Sequence, residues 1–140
     1  MAGYSGTPLP QKLGIKEAHT VALLGAPAGF DATLGTLPAG TRVLTTLTTR
    51  AKQPLFDVMV VFVKQRADLV VYLATCRPRL QQAGGLWIAW PKRSSGVATD
   101  ITEDTIRAVA LPTGLVDNKV CAIDDVWSGL RLVIRKEHRT

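Results

Sequence analysis

The run DVMVVFV at residues 57–63 is apolar at every position after its aspartate. A strand with one wet face alternates polar and apolar side chains. This run does not alternate, so both its faces must be covered, as in a parallel sheet packed between helices. TVALLG (20–25) and GGLWIAW (84–90) are further short buried runs, and TRVLTTLT (41–48) is rich in β-branched residues, which favour strands. Helical segments lie between them. A brief helix over residues 28–37 is stopped by PAG. A second runs from Gln65 to Leu80, with Leu69, Val70, Leu73 and Leu80 at helical spacing and an end or bend at Pro78. A third starts at Asp100, whose spacing to Glu103 is that of a capping box, and passes through Ile106, Val109 and Ala110 toward Pro112 and Gly114. DNKVCAIDDVW and LRLVIRK read as two final strands, and Ser128-Gly129 between them signals an antiparallel hairpin.

The order β-α-β-β-α-β-α-β-β predicts an α/β fold: a single three-layer Rossmann-like domain over residues 17–140, with a mostly parallel sheet of about six strands and a C-terminal antiparallel hairpin. Residues 1–16 read as an N-terminal arm, in which Gly3, Gly6, Pro8 and Pro10 prevent a regular helix or central strand. The connection TRAKQPLF between the second and third strands is too short for a helical crossover, which needs about a dozen residues or more. Either a helix is dropped there or the second strand lies at an edge.

With 140 residues, 46% apolar and 20% charged, the chain can bury a core. Its apolar runs are far shorter than the roughly 20 residues that span a bilayer, and no apolar segment follows Met1, so the expectation is a cytoplasmic protein without a membrane span. Cys76 and Cys121 stand apart and read as free thiols. A net charge of +6 and a pI near 9.8 permit anionic partners. The basic residues run from Lys12 to Arg139 without forming a block, and the densest patch is the tail RKEHRT. Aromatic residues, at 6%, do not interleave with them, which argues against a nucleic-acid stacking platform but leaves sequence-independent phosphate contact open.

FDVMVVFV, QQAGGLWIAW and DNKVCAIDDVWSGLRLVIRK, over residues 56–136, follow one another in a layout that resembles the second half of class I methyltransferase domains. The whole chain, from GYSGTPLPQKLGIK through LWIAWPKRSSGVATDITED to VWSGL, looks like a small bacterial family of unknown function, a resemblance that implies the fold and brings no activity with it. The methyltransferase cofactor turn is altered. VALLGAPAGF keeps Gly25 and Gly29 but has Pro27 in place of the middle glycine and no acid before it, and RVLTTLTTR offers no acid for a ribose. The dinucleotide fingerprint fails on the same residues. No cofactor is therefore expected.

In open α/β sheets, ligands bind outside the carboxyl ends of the strands. Those ends read GAPAG after the first strand, Lys64-Gln65-Arg66 after the third and PKRSSG after the fourth. Glycine amides at a helix start, with lysine and arginine from neighbouring strands and two hydroxyls, compose an anion site: Gly25, Gly29, Lys64, Arg66, Lys92, Arg93, Ser94 and Ser95. The competing reading of KRSSG is a solvated loop where a buried strand reaches water. Trp87 and Trp90 have opposite parity and should pack on opposite faces, whereas Trp127, at the expected hairpin turn, is exposed and available to a protein partner. Asp124 and Asp125 face opposite ways on a strand and form no acid/base pair. His19 and His138 lie near opposite ends, so no metal site is expected, and no nucleophile motif is present. The function expected from these residues is a non-enzymatic binding or regulatory module for a small anionic ligand or a protein partner. The alternatives are a degenerate S-adenosylmethionine-dependent methyltransferase or other transferase, and a structural interaction domain. The sequence leaves the oligomeric state open.

Overall fold

The computed structural model describes residues 7–47 and 55–139. Six strands form one sheet in the order β2-β1-β3-β4-β6-β5. They are β1 (Thr20–Leu24), β2 (Arg42–Leu44), β3 (Phe56–Phe62), β4 (Leu80–Pro91), β5 (Leu115–Ala122) and β6 (Trp127–Ile134). The first four are mutually parallel, and β6 runs antiparallel between β4 and β5. The helices are α1 (Leu9–Leu13), α2 (Phe30–Leu34), α3 (Arg66–Cys76) and α4 (Glu103–Ala110). The second strand does lie at an edge, as the short connection allows; most of that connection, residues 48–54, lies outside the described residues, as do residues 1–6 of the expected arm.

Period-2 geometry divides the core. Met59, Val61, Leu86, Ile88 and Trp90 point to one face, where Leu69, Leu73 and Cys76 of α3 and Ile106 and Ala110 of α4 cover them. Val58, Val60, Trp87 and Ala89 point to the other, under Leu13 of α1 and Phe30 and Leu34 of α2. The two tryptophans thus occupy opposite layers, as their parity requires. Burial holds the Cys76 thiol at a pKa of about 12. Arg107 ties α4 to β5 by pairing with Asp117 at 3.1 Å and with Glu103 at 2.8 Å on its own helix.

Four local expectations are corrected. A helix does form at Leu9–Leu13, because proline is tolerated in a first turn, where its missing N–H has no intrahelical partner; Leu13 and Ile15 enter the core. Helix α4 is capped by Thr102, not Asp100: its hydroxyl accepts from the Thr105 N–H, and the Thr105 hydroxyl accepts from the Thr102 N–H, each at 3.2 Å. Asp100 caps α3 instead, accepting the Arg66 N–H at 2.7 Å. The hairpin turns at residues 123–126, and Ser128-Gly129 lies inside β6. Gly129 is there for close approach, since a Cβ on it would lie 3.0 Å from Ile123 Cδ1 and 3.1 Å from Trp87 Cε3. Asp124 sits in the turn itself, and its Oδ1 accepts the Val126 and Trp127 N–H groups at 2.8 Å.

Candidate functional site

At the carboxyl edge, β1 and β3 end beside each other and β6 begins close by. Their ends open a cleft of about 730 Å³ lined by Gly25, Pro27, Phe62, Val63, Lys64, Gln65, Asp68, Val71, Tyr72 and Trp127. Gly25 has φ 70°, and a Cβ there would lie 3.0 Å from the Phe62 carbonyl oxygen, so only glycine lets the chain turn this close to β3. Phe30 and Trp127 both meet the Phe62 ring edge-on, with centroids 4.8 and 5.1 Å away. Trp127 is 8% exposed. The expectation of an exposed ring fails because the Asp124 turn ends before it, and the indole folds back over Phe62.

The eight residues expected to gather around an anion do not converge in one cavity. Gly25 and Lys64 line the cleft. Gly29 caps α2 with its backbone and lies outside it. Arg66 begins α3, its amide engaged by Asp100. Arg93 lines a different cavity of about 360 Å³, with Trp90, Val97, Thr99 and Glu103. Lys92, Ser94 and Ser95 line neither cavity. The KRSSG loop is held by its own hydrogen bonds: the Ser95 hydroxyl donates to the Lys92 carbonyl at 2.6 Å and accepts from the Val97 N–H at 3.1 Å. The Lys92 N–H donates to Val126, and the Thr99 hydroxyl reaches back to the Lys64 carbonyl at 2.6 Å. Ser95 is therefore committed to the turn, and the segment as a whole latches β4 to β3 and to the hairpin.

Charge is divided between the two edges of the sheet. The strand topology puts Asp31, Asp68, Asp100, Glu103, Asp104, Asp124 and Asp125 toward the carboxyl edge, where they outnumber Lys64, Arg66, Lys92 and Arg93. Among the described residues, cations outnumber acids at the other end, where the acids are Glu17, Asp57, Asp117 and Glu137. Lys12, Lys16, Arg42, Arg77 and Arg79 precede or begin elements at the amino edge, and Arg135, Lys136 and Arg139 follow β6 to the same edge. A cleft of about 790 Å³ opens there; the described residues that line it include Lys12, Lys16, His19, Lys119 and Arg131, polar and small apolar residues, and one side-chain carboxylate, Asp57. Sequence reasoning missed this cleft, because its cations are isolated from one another along the chain. The available signal was a count of charge by strand end.

Among the described residues, no three His, Cys, Asp or Glu side chains are grouped to hold a metal, and no helix is long and apolar enough to cross a membrane.

The fold is similar to several methyltransferases. A S-adenosylmethionine-dependent methyltransferase from Aquifex aeolicus superposes with a TM-score of 0.65 at 13% identity, over 94% of this chain and 91% of that one. Magnesium protoporphyrin IX methyltransferase from Synechocystis gives 0.61 at 11%, over 90% and 74%. Fibrillarin from Aeropyrum pernix, solved with natively bound S-adenosylmethionine, gives 0.59 at 16%, over 94% and 70%. At these identities the likeness concerns the fold alone. No curated protein matches the chain. Residues 11–136 match the model of a family described as a protein of unknown function, DUF3052.

Proposed function

This chain belongs to the DUF3052 family, and from its carboxyl-edge cleft we propose that it is a non-catalytic binding module for a small ligand with an apolar body and an anionic group. The observation that carries this reading is the lining of the cleft. Phe62, Val63, Val71, Tyr72 and Trp127 supply apolar and aromatic surface, while Lys64 supplies a cation and Asp68 a carboxylate. A few polar groups set in an apolar wall are what orients a small molecule, and this is the position where open α/β sheets hold their ligands. Lys64 would meet the anionic group, and the ring of Tyr72 would cover the body. Since Trp127 is buried, a small molecule in the cleft accounts for these residues better than a protein docked on that ring.

The rival is a transferase, favoured by the fold shared with proteins that bind S-adenosylmethionine. Against it stand GAPAG, which lacks the middle glycine, and β2, which runs into threonines in place of an acid. A thermal-shift panel of S-adenosylmethionine, nucleotides, coenzyme A and sugar phosphates separates the two. A ligand at a hundred times its Kd stabilises by about 2.7 kcal/mol, or roughly 5–15 °C in Tm for a domain of this size. A shift lost in Lys64→Gln and Tyr72→Ala supports the binding module. Methyl transfer from bound S-adenosylmethionine would replace it with the transferase, and a flat panel would remove the cleft from the account.

A further inference from the structure

The amino-edge cleft is independent of the reading above and has its own construction. One wall is the end of α1 and the loop after it, carrying Lys12, Lys16 and His19; the other is the face of the β5–β6 hairpin, carrying Lys119 and Arg131. Arg131 is the cross-strand partner of both Trp87 and Lys119, so all three point to the face that α1 covers only in part. The guanidinium has room because residue 85 is glycine: a Cβ there would lie 2.8 Å from its Cζ. Arg131 is half-buried, and none of the described residues is an acceptor for its guanidinium. Among the described residues no buried side-chain nitrogen lacks a partner, so the guanidinium nitrogens meet water at the cleft, where an anion would take charge-assisted hydrogen bonds from them.

The surroundings add further donors. Burial, and then Arg139, hold the Arg131 guanidinium below its ordinary pKa, which reflects an environment unfavourable to its charge. The Lys119 ammonium donates to the Lys12 carbonyl at 3.2 Å, which joins the two walls and leaves it two further donors. The Lys16 N–H donates to Nδ1 of His19 at 3.1 Å, which fixes the ring on the cleft wall. Asp57, the one side-chain carboxylate among the described lining residues, already accepts the Thr20 N–H at 2.8 Å.

We propose that this cleft binds a small multivalent phosphate anion of the diphosphate or polyphosphate class. Arg131 provides the planar fork that fits two phosphate oxygens, and Lys119 and Lys16 provide point charges on either side. Several cations facing one carboxylate call for an anion of more than one charge. Among the described residues the lining has no Phe, Tyr or Trp on which a base could stack, so recognition there falls on the phosphates themselves. That absence, and the concave shape, favour a small anion over a nucleic-acid strand.

Isothermal titration of the full chain with inorganic pyrophosphate, at about 50 mM salt where screening is modest, tests this. The expected result is saturable binding of one anion per chain. Arg131→Gln and Lys119→Gln should each weaken it by about tenfold or more, the scale of one charge-assisted hydrogen bond. Lys16→Gln, on an exposed loop, should weaken it too, and keeps the test open if a strand variant fails to fold. Lys64→Gln, at the opposite edge, should leave it unchanged and so separates this site from the carboxyl-edge cleft. Absence of saturation, equal affinity for sulfate, unchanged affinity in the Lys119→Gln/Arg131→Gln double variant, or binding of duplex DNA in place of pyrophosphate would each overturn the proposal.

Discussion

The two edges of this sheet carry clefts of similar volume, about 730 and 790 Å³, with opposite chemistry. The carboxyl-edge cleft has aromatic walls and lies at the acidic end of the molecule. Its amino-edge counterpart is more polar, and the described residues at that edge carry an excess of cations. The general rule that ligands sit at carboxyl ends of strands points to the first cleft; electrostatics points to the second. A fold-level rule therefore locates an apolar pocket well but says little about where an anion will go.

The largest expected effect tests whether the amino half is the better anchored. Trp87 is fully buried, and its indole N–H donates to the Leu13 carbonyl at 3.0 Å, fastening α1 and one wall of the basic cleft to the sheet. Trp87→Ala should cost about 3–5 kcal/mol in urea denaturation, whereas Trp127→Ala, at the carboxyl edge, should cost about 3 kcal/mol or less. The reverse order would break the comparison.

The next effect concerns Cys76, at the amino-edge end of α3. Burial raises its thiol from 9.0 to about 12, so the folded state keeps a proton that the unfolded chain releases. The stability tied to this thiol is fully present below pH 9 and is lost as pH rises from 9 toward 12. The loss approaches about 4 kcal/mol at the top of that window. Cys76→Ala should flatten this part of the stability–pH profile, and an unchanged profile would show that the thiol is not protected.

At the carboxyl edge, Asp100→Ala removes the acceptor for the Arg66 amide, and Thr102→Ala removes the α4 cap. Each should cost about 1 kcal/mol by chemical denaturation. A loss well below that from Asp100→Ala would mean that solvent replaces the cap and that the carboxyl edge is the looser of the two.

The smallest effect sharpens the electrostatic side. Burial raises the Cys121 thiol, while Lys12 and Lys119 pull it back down. Lys119→Gln should therefore slow alkylation of Cys121 at pH 8 by about twofold, and Lys64→Gln should not change it. Equal rates in all three proteins would show that the cations of the basic cleft are too well screened to act on a neighbour.

The strands were legible because each carries its own evidence: DVMVVFV and LWIAW are buried on both faces, and continuous apolar runs say so. Punctuation residues were less reliable, since their meaning depends on distant partners. Gly129 reads as a turn until Trp87 and Ile123 are seen packed against it, and Asp100 reads as the cap of the nearest helix until Arg66 of another is found beside it. The same limit applies to the sites. Lys64 and Gly25 were found from strand ends, but the basic cleft joins residues from α1, β3, β4, β5 and β6 that no local window contains.

The position of β6 bears on the order in which the protein assembles. Among the described strands it comes after both β4 and β5, yet it lies between them: β5 immediately precedes it in the chain, whereas β4 is separated from it by α4 and β5. Until residues 127–134 exist, β4 presents an open hydrogen-bonding edge along its apolar LWIAW run, and β5 has no strand to pair with. A nascent or truncated chain is thus exposed to wrong strand pairing for as long as that gap stays empty.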